Sequence, residues 1–74
     1  MMTTVIKQYK NNNYYITLEI KNRYDIAVYV VQVLPCFDKS RCGYPISEIS
    51  YPIKDRKKAL ATYRRYIKKY GMEE

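Results

Sequence analysis

Residues 14–21 alternate strictly: Tyr14, Ile16, Leu18 and Ile20 fall on one face, Tyr15, Thr17, Glu19 and Lys21 on the other. A period of two marks a half-buried strand. Thr3–Tyr9 is a shorter β-prone stretch, and Lys10-Asn11-Asn12-Asn13 between the two reads as a tight turn, because Asn tolerates left-handed backbone angles. After a second turn at Asn22–Asp25, Ile26–Leu34 is apolar on both faces, with Ile26, Val28, Val30 and Leu34 against Ala27, Tyr29, Val31 and Val33. A strand of that kind belongs at the centre of a sheet, covered twice. Pro35 is expected to end it, since proline brings no ladder donor. Cys36–Pro45 then reads as a loop. Ile46–Tyr51 reads as a further strand, with Ser47, Ile49 and Tyr51 opposite Ile46, Glu48 and Ser50, and Pro52 placing it at an edge or closing it.

The pattern then changes period. No Gly or Pro interrupts residues 56–70; Asp55 stands where an N-cap belongs and Gly71 where a helix stops. At 100° per residue, Leu60, Tyr63, Ile67 and Tyr70 share a face, flanked by Ala59 and Tyr66. The elements predict an α+β fold: a small antiparallel β-sheet of three or four strands (residues 3–53) with one C-terminal α-helix (55–70) packed on one face, in the order ββββα. With 74 residues there is room for one domain, spanning 1–74.

Composition removes whole classes of chemistry. There is no His, hence no His-based acid/base pair, no Ser–His or Cys–His nucleophile and no His-ligated metal. Two glycines do not build a phosphate-cradling loop. Cys36 and Cys42 are six positions apart, not a redox CxxC and at most half of a closed zinc site. They read as two reduced loop thiols, with a disulfide closing the short loop or a metal shared between molecules as the alternatives. The carboxylates Glu19, Asp25, Asp38 and Glu48 are not gathered on one face by any spacing. The expectation is a protein that is not an enzyme, with no cofactor and no metal. No apolar run approaches the roughly 20 residues of a membrane span. Only Val5 and Ile6 are apolar before Lys7, too few for a secretory signal, so a cytoplasmic location with no membrane partner is expected.

Charge then changes the picture. The net charge is +7, from 14 Lys plus Arg against 7 Asp plus Glu. Residues 54–70 hold Lys54, Arg56, Lys57, Lys58, Arg64, Arg65, Lys68 and Lys69 against Asp55 alone, so the whole excess belongs to the helix. On the wheel, Lys57, Lys58, Arg64, Arg65, Lys68 and Lys69 form an arc opposite the apolar face. An ordinary solvated face mixes signs so that residues four apart attract, whereas Arg64–Lys68 and Arg65–Lys69 repel. Arg56, Lys57 and Lys58 sit in the first turn, where the helix dipole disfavours cations by about 0.3–1 kcal/mol each at low salt. Both features cost stability and fit an anion-binding face: Lys and Arg neutralise successive phosphates, and Arg makes forked contacts to phosphate or guanine. The expected partner is DNA or RNA, or an acidic surface on a host protein that itself binds nucleic acid.

Ten tyrosines supply a second candidate surface. Tyr14, Tyr63 and Tyr70 fall on apolar faces and read as core. Tyr15, Tyr24, Tyr29 and Tyr44 read as open-face or loop residues, suited to interfaces and base stacking. With the helix on the Val28/Val30/Leu34 side, Tyr29, Val31 and Val33 need another cover, and together with Tyr15 and Tyr44 they outline a surface for a homodimer or a protein partner.

A small sheet backed by one helix resembles the DNA-binding arm domains of some phage and transposon integrases. That resemblance implies groove reading by the sheet, here Tyr15, Thr17, Glu19 and Lys21. In size, single-domain build and a composition rich in Tyr, Lys, Ile and Asn, the chain looks like the small accessory proteins of phages and mobile elements, anti-CRISPR proteins among them. This likeness implies an inhibitor of a host defence complex acting by direct protein contact. The residues themselves lead to a non-catalytic binding module that docks a basic C-terminal helix onto a nucleic acid or nucleoprotein complex, with the inhibitor as the alternative.

Overall fold

The computed structural model describes residues 3–38 and 41–71; the side chains of 37, 38, 41 and 42 lie outside that description. The strands are β1 (Thr3–Lys10), β2 (Tyr14–Arg23), β3 (Ile26–Asp38), β4 (Arg41–Cys42) and β5 (Ser47–Pro52). A 3-10 turn at Ile53–Asp55 leads into α1 (Arg56–Tyr66), whose last turn widens to a π-helix at Ile67–Gly71. All pairings are antiparallel, in the order β1-β2-β3-β5, and the short β4 pairs with the far end of β3. This is the expected ββββα arrangement with one added two-residue strand.

The β2–β3 hairpin fixes everything else. Arg23 pairs with Ile26, so Ile20 meets Tyr29, Leu18 meets Val31 and Ile16 meets Val33. These six residues therefore share a face, and α1 packs on it. Ile16, Leu18, Val31, Val33, Tyr29 and the helix residues Ala59, Tyr63 and Tyr66 form one buried cluster, bordered by Ile6, Tyr9, Tyr14, Tyr51, Leu60, Ile67 and Tyr70. The expectation that the helix covers the Val28/Val30/Leu34 side is corrected. Tyr29, Val31 and Val33 are 5 %, 0 % and 0 % exposed beneath the helix and are core, not a protein interface.

The two hairpin turns work differently. At β1–β2, Asn11 Oδ1 accepts the N–H groups of Asn13 (2.8 Å) and Tyr14 (2.7 Å), and Asn11 N–H donates to Tyr14 O (3.0 Å). The turn rests on this side-chain mimicry of backbone, not on left-handed angles. At β2–β3 the left-handed pair is Tyr24 (φ 53°) and Asp25 (φ 66°). A two-residue hairpin turn with both φ positive ordinarily takes Asn-Gly, and a bulky aromatic there costs energy. The double variant Tyr24→Asn, Asp25→Gly is expected to gain about 1 kcal/mol, or roughly 4–8 °C in thermal midpoint. A calorimetric scan checks it.

Pro35 does not end β3. Cys36 N–H donates to Asn13 O (2.8 Å) and Gly43 N–H donates to Pro35 O (2.7 Å), so the ladder continues around the missing donor on both sides. The expected ten-residue loop is thereby shortened by β4, in which Cys36 stands opposite Cys42. The choice between thiols and a disulfide falls on the Cys42 side chain, outside the described residues.

Asp55 occupies the N-cap position, but its side chain makes no cap hydrogen bond. The helix is held from its sides and its far end instead. Tyr51 and Thr62 share a hydroxyl–hydroxyl bond of 2.6 Å, as do Ser47 and Tyr66. At the end, Tyr9 OH donates to Gly71 O (2.8 Å), Asn11 Nδ2 reaches the carbonyls of Tyr70 and Gly71 (3.4 Å each), and the Tyr14 and Tyr70 rings meet at 5.0 Å. Gly71 has no positive φ. It is required by close approach: a Cβ there would stand 2.7 Å from the Tyr9 ring. Gly71→Ala is expected to cost about 1–2 kcal/mol by displacing Tyr9, read as a lower urea midpoint with an unchanged slope.

On the face away from the helix, Gln8, Thr17, Gln32 and Glu48 form a polar row across four strands. Thr17 is fully buried there and its hydroxyl has no hydrogen-bond partner. An unmet buried hydroxyl is costly, so Thr17→Val, which keeps the shape, is expected to stabilise by about 1 kcal/mol. Equilibrium unfolding in urea measures it.

Candidate functional site

The cations of α1 are placed by the same hydrogen bonds that orient its apolar side. Ala59, Thr62, Tyr63 and Tyr66 are buried against the sheet. Residues offset from these by half a turn must point outward. Lys57, Lys58, Arg64, Arg65, Lys68 and Lys69 are accordingly all exposed on one side of a rigid element. They form the arc that the periodicity predicts.

The carboxylates Glu19 and Glu48 are engaged within the sheet, away from the helix. Glu19 pairs with Lys21 (3.6 Å) and receives Gln32 Nε2 (3.4 Å); Glu48 pairs with Arg23 (3.2 Å). No helix cation forms an ion pair among the described residues. Lys69 Nζ lies 5.2 Å from the Tyr70 ring centroid, which holds it near the helix end without removing its charge. The surplus is thus a stripe on one surface, with no acidic partner among the described residues.

The other residues singled out in the sequence separate. Tyr15 lies half-buried on the open face, its hydroxyl donating to Gln8 Oε1 (2.6 Å) and its ring 6.0 Å from Lys10 Nζ. Tyr44 is almost wholly exposed before β5, and Tyr24 likewise at the β2–β3 turn. Tyr29, Val31 and Val33 lie on the opposite side of the sheet from Tyr15, so no single surface joins these five residues. Burial raises the Tyr63 phenol above its ordinary value, with Tyr15 adding to the shift. Glu19 and Glu48 are kept apart by β3, each engaged by its own cation. Among the described residues no three His, Cys, Asp or Glu side chains gather as a metal site, and no helix is long and apolar enough to cross a membrane.

Tyr24 is exposed in the expected turn. Two features were not anticipated from the sequence: the positive φ of Tyr24, and a cleft of about 550 Å³ where the start of β3 meets the end of β5, lined by Ile26, Val28, Pro52, Ile53 and Lys54 among others. The only sequence signal for either is the four-residue polar turn between two strands. Compared with protein-family models, curated proteins and solved structures, the chain finds no match.

Proposed function

We propose that this protein is a small non-catalytic binding module that lays the outer face of α1 on the phosphate backbone of a nucleic acid, free or within a nucleoprotein complex. One observation carries the reading: Lys57, Lys58, Arg64, Arg65, Lys68 and Lys69 are exposed along one side of a rigid helix and have no carboxylate partner among the described residues. A stripe of fixed cations gains free energy by releasing the counterions condensed on a polyanion. Without that partner, the stripe is a net cost in self-repulsion.

In this mode the helix supplies position and affinity while sequence preference is weak, because Lys and phosphate contacts carry no base information. The sheet anchors the helix through Tyr51–Thr62, Ser47–Tyr66 and Tyr9–Gly71 and does not itself touch the ligand.

The test is a titration of isotope-labelled protein with a mixed-sequence DNA duplex and the corresponding RNA duplex. Shifts confined to the exposed residues of 57–69 support the reading. Shifts centred on Tyr15, Thr17 and Lys21 would transfer binding to the open sheet face. No shift at low salt would make the partner an acidic protein.

A further inference from the structure

The two edges of the sheet are built to different rules. β1 is blunted as a template for further strands: a bulge between Val5 and Lys7 breaks its register, and Lys7 and Lys10 stand along it. Bulges and edge lysines are the usual devices against edge-to-edge pairing. β5 has neither. Among the described residues it pairs with β3 alone, with no lysine and no bulge between Ser47 and Pro52. Its surroundings are apolar, with Ile46, Ile49 and Ile53 exposed by 52 %, 36 % and 41 %. At its end lies the cleft of about 550 Å³, whose lining includes Val28 and Pro52, a cross-strand pair on the face away from the helix, together with Ile26, Tyr51, Ile53 and Lys54.

The charge beside this edge selects what can occupy it. Thr62 and Tyr66 bond to Tyr51 and Ser47, so that flank of α1 overhangs β5. Lys58 and Arg65 lie one turn before and after Thr62 and share its side of the helix. A second copy of this chain pairing β5 with β5 would do so about a two-fold axis perpendicular to the sheet. Both helices would then lie on the same side, with each Lys58 and Arg65 facing the other's. A carboxylate-bearing strand meets the opposite situation.

We infer that the free edge of β5 accepts an extended acidic segment of a protein partner as an added strand. Alternate side chains of that segment face opposite sides of the sheet. Carboxylates on the helix side meet Lys58 and Arg65, and an apolar side chain on the other enters the cleft. Main-chain bonds to β5 supply affinity and these two contacts supply choice of partner. The inference shares Lys58 and Arg65 with the nucleic-acid face, while the β5 main chain and the cleft lie outside that face, so protection of β5 by a peptide tests it separately from nucleic-acid binding.

The test uses the full chain, isotope-labelled, and a blocked peptide of alternating glutamate and valine. Peptide binding should slow amide exchange within Glu48–Tyr51 and shift the cleft residues Val28 and Ile53, leaving β1 unchanged. Ile49→Glu, on the helix side of β5 and 36 % exposed, should weaken peptide binding by roughly tenfold or more in a variant whose circular dichroism spectrum is unchanged; a peptide with lysine in place of glutamate should not bind to the native chain. Three results would each overturn the inference: no protection of β5 at millimolar peptide, shifts restricted to the helix, or a β5-dependent dimer in light scattering.

Discussion

Replacing Arg64 and Arg65 together with glutamate is expected to leave a protein that is more stable and binds nucleic acid more weakly. In the native helix, Arg64–Lys68 and Arg65–Lys69 repel one turn apart, and none of the four has a compensating carboxylate among the described residues. Glutamate at 64 and 65 turns both pairs attractive, in the orientation a helix favours, for a gain of about 0.3–0.5 kcal/mol per pair beyond the repulsion removed. An acid near the helix C-terminus returns part of that gain, so the net is about 0.5–1 kcal/mol, a rise of a few degrees in thermal midpoint. Binding moves the other way. Each lost phosphate contact flattens the log–log salt dependence by roughly 0.9 on duplex DNA. Extending the change to Lys68 and Lys69 should abolish binding with the circular dichroism spectrum intact. If the face were merely solvated, the stability would change and the binding would not.

Val31→Asp is expected to leave no folded protein at room temperature. Val31 is fully buried, paired with Leu18 and covered by the helix. A lone carboxylate in that position costs several kcal/mol, and a core of this size supplies only about 3–5 kcal/mol in total. A flat melting curve with loss of near-ultraviolet tyrosine signal is the expected observation. A soluble, cooperatively melting Val31→Asp monomer would restore β3's odd positions as an open interface and move the helix to the other face.

That question of faces was in fact decidable from the sequence. Ile26–Leu34 is apolar on both sides, so periodicity alone leaves its orientation open. The turn before it removes the ambiguity. Whether the hairpin closes over Asn22–Asp25 or over Tyr24 and Asp25 alone, an even number of turn residues sets Leu18 and Ile16 opposite odd positions of β3. The clear alternation of β2 therefore assigns Tyr29, Val31 and Val33 to the helix side. The helix and its cationic arc were legible because eleven or more uninterrupted residues repeat one pattern. Pro35 misled for a local reason: proline lacks only the donor, and the carbonyl of Pro35 still joins the ladder. The Tyr9–Gly71 contact joins residues 62 apart and leaves no local trace, so Gly71 read as an ordinary helix stop. The cleft at Ile26, Pro52 and Ile53 is likewise a product of packing and has no motif.

The fold thus spends its few polar contacts on fixing one helix. Hydroxyl pairs under α1 and the Tyr9 and Asn11 bonds at its end hold it flat on the sheet, while Lys21 and Arg23 occupy Glu19 and Glu48 within the sheet. What remains outside is a rigid row of positive charge. The most direct measurement is the equilibrium affinity of the purified chain for mixed-sequence duplex DNA at a series of salt concentrations. A straight log–log line with a slope of roughly −3.6 to −5.4, as four to six phosphate contacts require, is the expected result. An affinity that does not change with salt, or no binding at the lowest salt, would contradict it.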